Sequence, residues 1–180
     1  MKNSPSNEDR QPVLADDDDR DALRAAVAEL DAAESAGEPA RLSQALALVS
    51  RCHRRVGALA EADWYAKRGL AVASGLGAVD ASVDAQCELA ELALERAERL
   101  DAQDETRGAH RLRDAARDRG FEATRLAQRS ADPQWEITVL LRVSDLFDRL
   151  GDHEDAIEMQ CRAVSLIAAE HNGALAPDAR

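Results

Sequence analysis

The sequence predicts an all-α chain, about seven helices stacked as antiparallel hairpins, and three observations carry that prediction. The apolar residues are mostly Ala, Leu and Val, with only two Trp, one Tyr and two Phe among 180 residues. Ala and Leu rank high in helix propensity, and Ala lets packed backbones approach. Apolar residues recur at three, four and seven positions, and no segment sustains the period-two alternation of a strand, so no sheet is expected. Two stretches of the chain superpose on each other without a gap, the mark of an internal repeat.

Taken in order, residues 1–15 are polar, contain Pro5 and Pro12, and read as a disordered arm. Asp16 to Asp19 then open a helix over 17–36. Acidic residues in a first turn complement the helix dipole, and Gly37 with Pro39 supplies the stop. The Asp run lacks the alternation and the glycine of a calcium loop, so a helix N-terminus is the reading. Leu42, Leu46, Val49 and Val56 form one apolar face of a helix over 41–56, which Gly57 ends. The next runs through Ala62, Ala66, Leu70 and Ala73 to Gly75 and Gly77. Another begins near Ala78, with Val83, Leu89, Ala93 and Leu100 on its face. A helix over about 106–130 follows a polar stretch, and Asp132-Pro133 starts one with Ile137, Leu140, Val143 and Phe147 inward. Gly151 divides it from the last, where Ala156, Ala163, Val164 and Ile167 align. The helical domain is thus 16–171, and 172–180 is a flexible tail.

The repeat pairs LALVSRCHRRVGALAEADWYAKRGLAVA (46–73) with LLRVSDLFDRLGDHEDAIEMQCRAVSLI (140–167). Leu46 falls on Leu140, Val49-Ser50 on Val143-Ser144, Gly57 on Gly151, Ala62 on Ala156 and Leu70 on Val164. Small residues stand where paired helices touch, and large ones fill the gaps between them. This arrangement resembles the tetratricopeptide repeat, in the long-helix variety with units of about forty residues. In the last unit its signature falls on Leu140, Val143-Ser144, Phe147, Gly151, Ala156 and Ala163. The first unit departs at His53, where an aromatic is usual, and at Gly69, where alanine is. Neither unit has the terminal proline. A divergent middle unit aligns Val83, Leu89-Ala90 and Ala93 with Ser43, Val49-Ser50 and His53. It is 14 residues longer than the first, Val83 to Ile137 against Ser43 to Val83. Split across a hairpin, those residues predict a projecting middle element near 94–115. The resemblance implies a right-handed solenoid.

No catalytic motif appears. The histidines His53, His110, His153 and His171 pair with no His or Cys at metal-ligand spacing, so neither a metal nor a cofactor is expected. Cys52 and His53 are neighbours, about 100° apart on a helix. The Gly-Leu-Gly at 75–77 lacks the strand and third glycine of a dinucleotide fingerprint. Glu88, Glu91, Glu95 and Glu98 form an acidic stripe that reads as a solvated helix face. Three cysteines, far apart and odd in number, read as reduced and mostly buried in a cytoplasmic protein. With Lys plus Arg at 23 and Asp plus Glu at 35, the net charge of −12 speaks against nucleic acid as partner. No apolar run is long enough to span a membrane.

Function is therefore expected in binding. In stacked hairpins the first helix of each pair lines the concave surface. Carrying the family's inner positions over gives Gln44, Arg51 and Arg55 in the first unit, with Arg54 adjacent. The second unit gives Asp84, Glu91 and Glu95, and the last Thr138, Arg142, Asp145 and Arg149. The arginines suit an acidic peptide by charge-assisted bonds, or pair with Glu91 and Glu95 across neighbouring helices. The resemblance implies a non-catalytic module for a peptide or protein partner. Its alternative is the sensory region of a bacterial-type signalling protein, such as a diguanylate cyclase or transcriptional regulator. Ile157, Val164, Leu166 and Ile167 spread over more than one side of the last helix, which predicts a homodimer.

Overall fold

The computed structural model describes residues 17–130 and 132–174. Seven α-helices follow one another: α1 (Asp17–Ala36), α2 (Pro39–Arg55), α3 (Leu59–Gly75), α4 (Val79–Asp101), α5 (Thr106–Ala127), α6 (Pro133–Leu150) and α7 (His153–Ala174). The described residues contain no strand, and none of these helices is long and apolar enough to cross a membrane. The predicted arm over 1–15 lies outside the described residues. So does the tail from 175 onward, while α7 runs three residues past the expected boundary at 171.

Turn chemistry sets the hairpins. Gly57 adopts φ +78° and Gly151 φ +83°, left-handed values that side chains with a Cβ resist. At each, two backbone amides close the helix end. Gly57 N donates to Arg54 O and Ala58 N to His53 O; Gly151 N donates to Asp148 O and Asp152 N to Phe147 O. This is the paired C-terminal cap of the Schellman type. The α4–α5 turn instead uses Asp104 at φ +62°, a residue type that tolerates this region. The start of α6 is capped by Asp132, whose carboxylate accepts from Gln134 N and Trp135 N, with Pro133 in the first turn.

Each helix packs on its neighbour in sequence, and α4 also touches α2 and α6. That is the contact pattern of a helical repeat stack. The repeat equivalents occupy the core: Leu46, Val49 and Ser50, like Leu140, Val143 and Ser144, are at most 1% exposed. The two buried serines each tie a hairpin together. Ser50 donates to the carbonyl of Ala62 at 2.9 Å, and Ser144 accepts from the Gln160 amide at 2.8 Å.

Two features depart from the sequence reading. His53 is only half-buried and stacks on Tyr65 at 5.2 Å, whereas its equivalent Phe147 is fully buried against Phe121. Gly120 makes room for it: a Cβ there would meet Phe147 Cε1 at 2.9 Å. The middle hairpin is longer, 23 and 22 residues against 17 and 17 in the first. Within the expected projection over 94–115, Leu94, Ala97 and Ala109 are buried. Arg99 reaches the Gly57 carbonyl in the α2–α3 turn, and Arg117 pairs with Asp152 in the α6–α7 turn.

Candidate interaction face

Asp84, Glu88, Glu91 and Glu95 recur at four, three and four residues, so α4 turns them all to one side. That side lies between α2 and α6, and each of those helices sends one arginine across. Arg54, in the last turn of α2, divides its guanidinium among three carboxylates: Nε to Glu88 at 2.9 Å, Nη2 to Glu91 at 2.9 Å and Nη1 to Glu95 at 2.8 Å. Arg142 of α6 approaches from the other flank, at 2.7 Å from Glu91 and 3.7 Å from Asp84. Further along, Arg149 reaches Glu98 at 3.4 Å.

This corrects the expectation of a solvated acidic face. The side chain of Glu88 is 5% exposed and that of Glu91 19%. The stripe is held down because α2 and α6 close on it, a tertiary effect that spacing along one helix does not reveal. Burial would pull the Arg54 guanidinium below its usual pKa, but its bond with Glu95 and the charges of Glu88 and Glu91 raise it. Glu88 moves the other way for a carboxyl: burial raises its pKa, against the lowering pull of Arg54. Its Oε1 is taken by Arg54, while Oε2 is buried without a hydrogen-bond partner. Two guanidiniums set among four carboxylates leave the centre of the face negative.

The remaining predicted residues separate into groups. Gln44, Arg51 and Asp84, all exposed, converge on one depression between α2, α3 and α4. Glu91, Arg142, Asp145 and Arg149 line a second, between α4 and α6. The ridge between them is the Arg54 cluster. Thr138 joins neither depression; its hydroxyl donates to the Gln134 carbonyl one turn back. Arg55 turns away toward Asp19 of α1 at 3.6 Å and the Cys52 sulfur at 3.4 Å. The three arginines of α2 therefore do not form one anion cradle, as their closeness in sequence suggested. The ion pairing foreseen for Arg51 or Arg55 with Glu91 and Glu95 is made by Arg54 instead. Side chains on successive helical positions diverge by about 100°, and only one of the three points along α4.

The first depression is lined mostly by small residues. Its volume is about 110 Å³, somewhat below the ~150 Å³ of an apolar cavity that accepts benzene. Ala47, Ala66, Gly69, Ala81 and Ala85 make its walls, with Ser43, Ser50 and Glu88. Ala47, Ala81 and Ala85, which the sequence did not single out, create the space by what they lack. Gly69 stands where α3 meets α2, and an added Cβ there would make an ordinary contact with Leu46 Cβ at 3.5 Å. On the rim Arg51 forms no ion pair among the described residues.

No protein-family model matches the chain, and no curated protein matches it. Among solved structures it is similar to the de novo designed helical repeat protein DHR64, at 23% identity and a TM-score of 0.44, covering 84% of this chain and 80% of that one. It has the same identity and TM-score with the DHF58 filament, over 84% and 83%. BtubC from P. vanneervenii shares 17% identity with a TM-score of 0.37, over 91% of this chain and 78% of that one.

Proposed function

We propose that the chain is a non-catalytic, tetratricopeptide-like interaction module that holds an extended segment of a protein partner along the face of α2, α4 and α6. The depression between α2 and α4 carries this reading, since three of the residues expected on a binding surface meet there around an apolar floor. A pocket of this size takes one small aliphatic side chain. Arg51 on one rim and Asp84 on the other bond the backbone or flanking side chains of the bound segment, an acidic group near Arg51 and a basic one near Asp84 and Glu88. The ion-paired ridge keeps the surface in one shape, so little ordering entropy is spent on binding. The tetratricopeptide reading draws support from the matched Leu46 and Leu140, the paired serines and the glycine caps at equivalent places.

Selection from a displayed library of random peptides on the full chain tests this. Enrichment of a motif centred on one small aliphatic residue, abolished by Ala47→Met, supports the pocket. Enriched peptides that bind the Ala47→Met chain equally well place the binding surface elsewhere.

A further inference from the structure

The last hairpin exposes a face that the earlier hairpins keep covered. By the 94-residue offset of the repeat, Val164 in α7 stands where Leu70 stands in α3. Leu70 packs on the cluster containing Leu89 and Leu92 of the following helix, α4. No described helix follows α7, and there Val164 is 63% and Ile157 58% exposed. Ile167 of the same helix and Leu141 of α6 are exposed as well. Thus four of the eight large apolar side chains exposed among the described residues belong to this one hairpin. Patches of this kind on otherwise polar surfaces mark association sites.

We propose that this face is the two-fold interface of a homodimer, in which α7 packs antiparallel against α7 of a second copy. The opposite end of the stack argues for like meeting like. There α1 exposes Asp17, Asp21, Arg24 and Asp31 with small alanines between them, and no large apolar side chain. A head-to-tail stack would set an apolar face on a charged one. The surface of matching character is the same surface on another copy, which a two-fold axis supplies and closes.

The direction of pairing follows from the seam. Glu154, Ile157, Cys161, Val164, Ala168 and His171 are all exposed and alternate at three and four residues, the spacing that keeps one line of side chains toward a partner helix. Those 18 residues cover about 27 Å of helix. Reversing α7 about the midpoint of this seam sets Ile157 against Ala168 and Cys161 against Val164, apolar on apolar along its length. It sets Glu154 against His171. A parallel pair would instead stack Glu154 on Glu154, at a cost. The antiparallel arrangement meets no like charge along the seam.

Sedimentation velocity on the full chain, from low micromolar to near-millimolar concentration, tests the interface. The mass is expected to rise from one copy to two and stop there. Ile157→Glu with Val164→Glu is expected to weaken the dimer by about tenfold or more, while Trp64→Glu, an exposed apolar residue elsewhere, leaves it unchanged. Circular dichroism confirms that the variants fold, and a crosslink serves even if the double glutamate does not. On a Cys161→Ser background, Ile157→Cys together with Ala168→Cys forms covalent dimers under mild oxidation, and neither change alone does. A chain that stays a monomer throughout, a mass that grows past two copies, a dimer indifferent to both glutamates, or crosslinking by either single cysteine overturns the proposal.

Discussion

Arg54 and Glu88 lie 34 residues apart in sequence, and Arg54 Nε stands 2.9 Å from Glu88 Oε1. The contact ties the first hairpin to the second across the candidate binding face. The same guanidinium reaches Glu91 and Glu95, so one side chain sets the position of α2 against a full two turns of α4. Glu88 is the deepest member: Arg54 bonds its Oε1, while Arg142 Nη2 stands 4.0 Å from its Oε2, too far for a hydrogen bond.

Arg54→Met is therefore expected to lower stability by about 2–3 kcal/mol, below the ~3–5 kcal/mol of a wholly buried pair because the arginine keeps some exposure. Arg54→Met with Glu88→Met should recover part of the loss, since the deepest carboxylate is then gone and Glu91 keeps Arg142, while Glu95 is left without its arginine. Urea unfolding of the three chains measures both differences.

His53 supplies a pH dependence. Burial holds its pKa below the usual 6.5, with Glu61 opposing weakly. Between 6.5 and the folded value, the unfolded chain binds more protons than the folded one. The stability that neutral His53 contributes is thus whole above pH 6.5 and is lost as pH falls through that window. His53→Phe, which copies the equivalent Phe147, should flatten the slope of unfolding free energy there. Melting curves at closely spaced pH values show whether it does.

Two glycines in helices should respond in opposite directions to alanine. At Gly120 a Cβ would stand 2.9 Å from Phe147 Cε1 and 3.3 Å from Leu146 Cδ2, both buried. Gly120→Ala should cost about 1–3 kcal/mol. At Gly75 nothing lies within 4 Å of the new Cβ, so Gly75→Ala should add roughly 0.5–1 kcal/mol. Thermal unfolding distinguishes the two signs.

The thiols are unequal. Cys161 is exposed, while Cys52 and Cys87 are buried. Burial pushes the Cys87 thiol up to about 11, despite the nearby Arg142. At a concentration low enough to keep the chain monomeric, a thiol reagent at neutral pH should modify one cysteine promptly in the folded chain and all three in denaturant. Mass spectrometry after brief labelling identifies which.

The helices and their order were legible because each apolar face repeats at helical spacing and each turn carries its own punctuation, Gly57 and Gly151 above all. The repeat could be read from Leu46 with Leu140 and from Ser50 with Ser144, although the hydrogen bonds that bury the serines could not. The candidate face could be named position by position, but its charge distribution could not. Three adjacent arginines look alike in sequence, yet helical geometry sends Arg54 into the carboxylates, Arg55 toward α1, and leaves Arg51 on a rim. The acidic stripe looked solvated because its burial depends on helices 34 and 51 residues away, at Arg54 and Arg142. The pocket itself left almost no signal, being made of alanines that read equally well as helix filler.

Titration calorimetry of a peptide selected on the full chain, repeated with Ala47→Met and with Arg51→Glu, tests the binding face most directly. The pocket between α2 and α4 predicts that Ala47→Met abolishes measurable binding and that Arg51→Glu weakens it about tenfold, each with an unchanged melting temperature. Binding undiminished in both chains would contradict it.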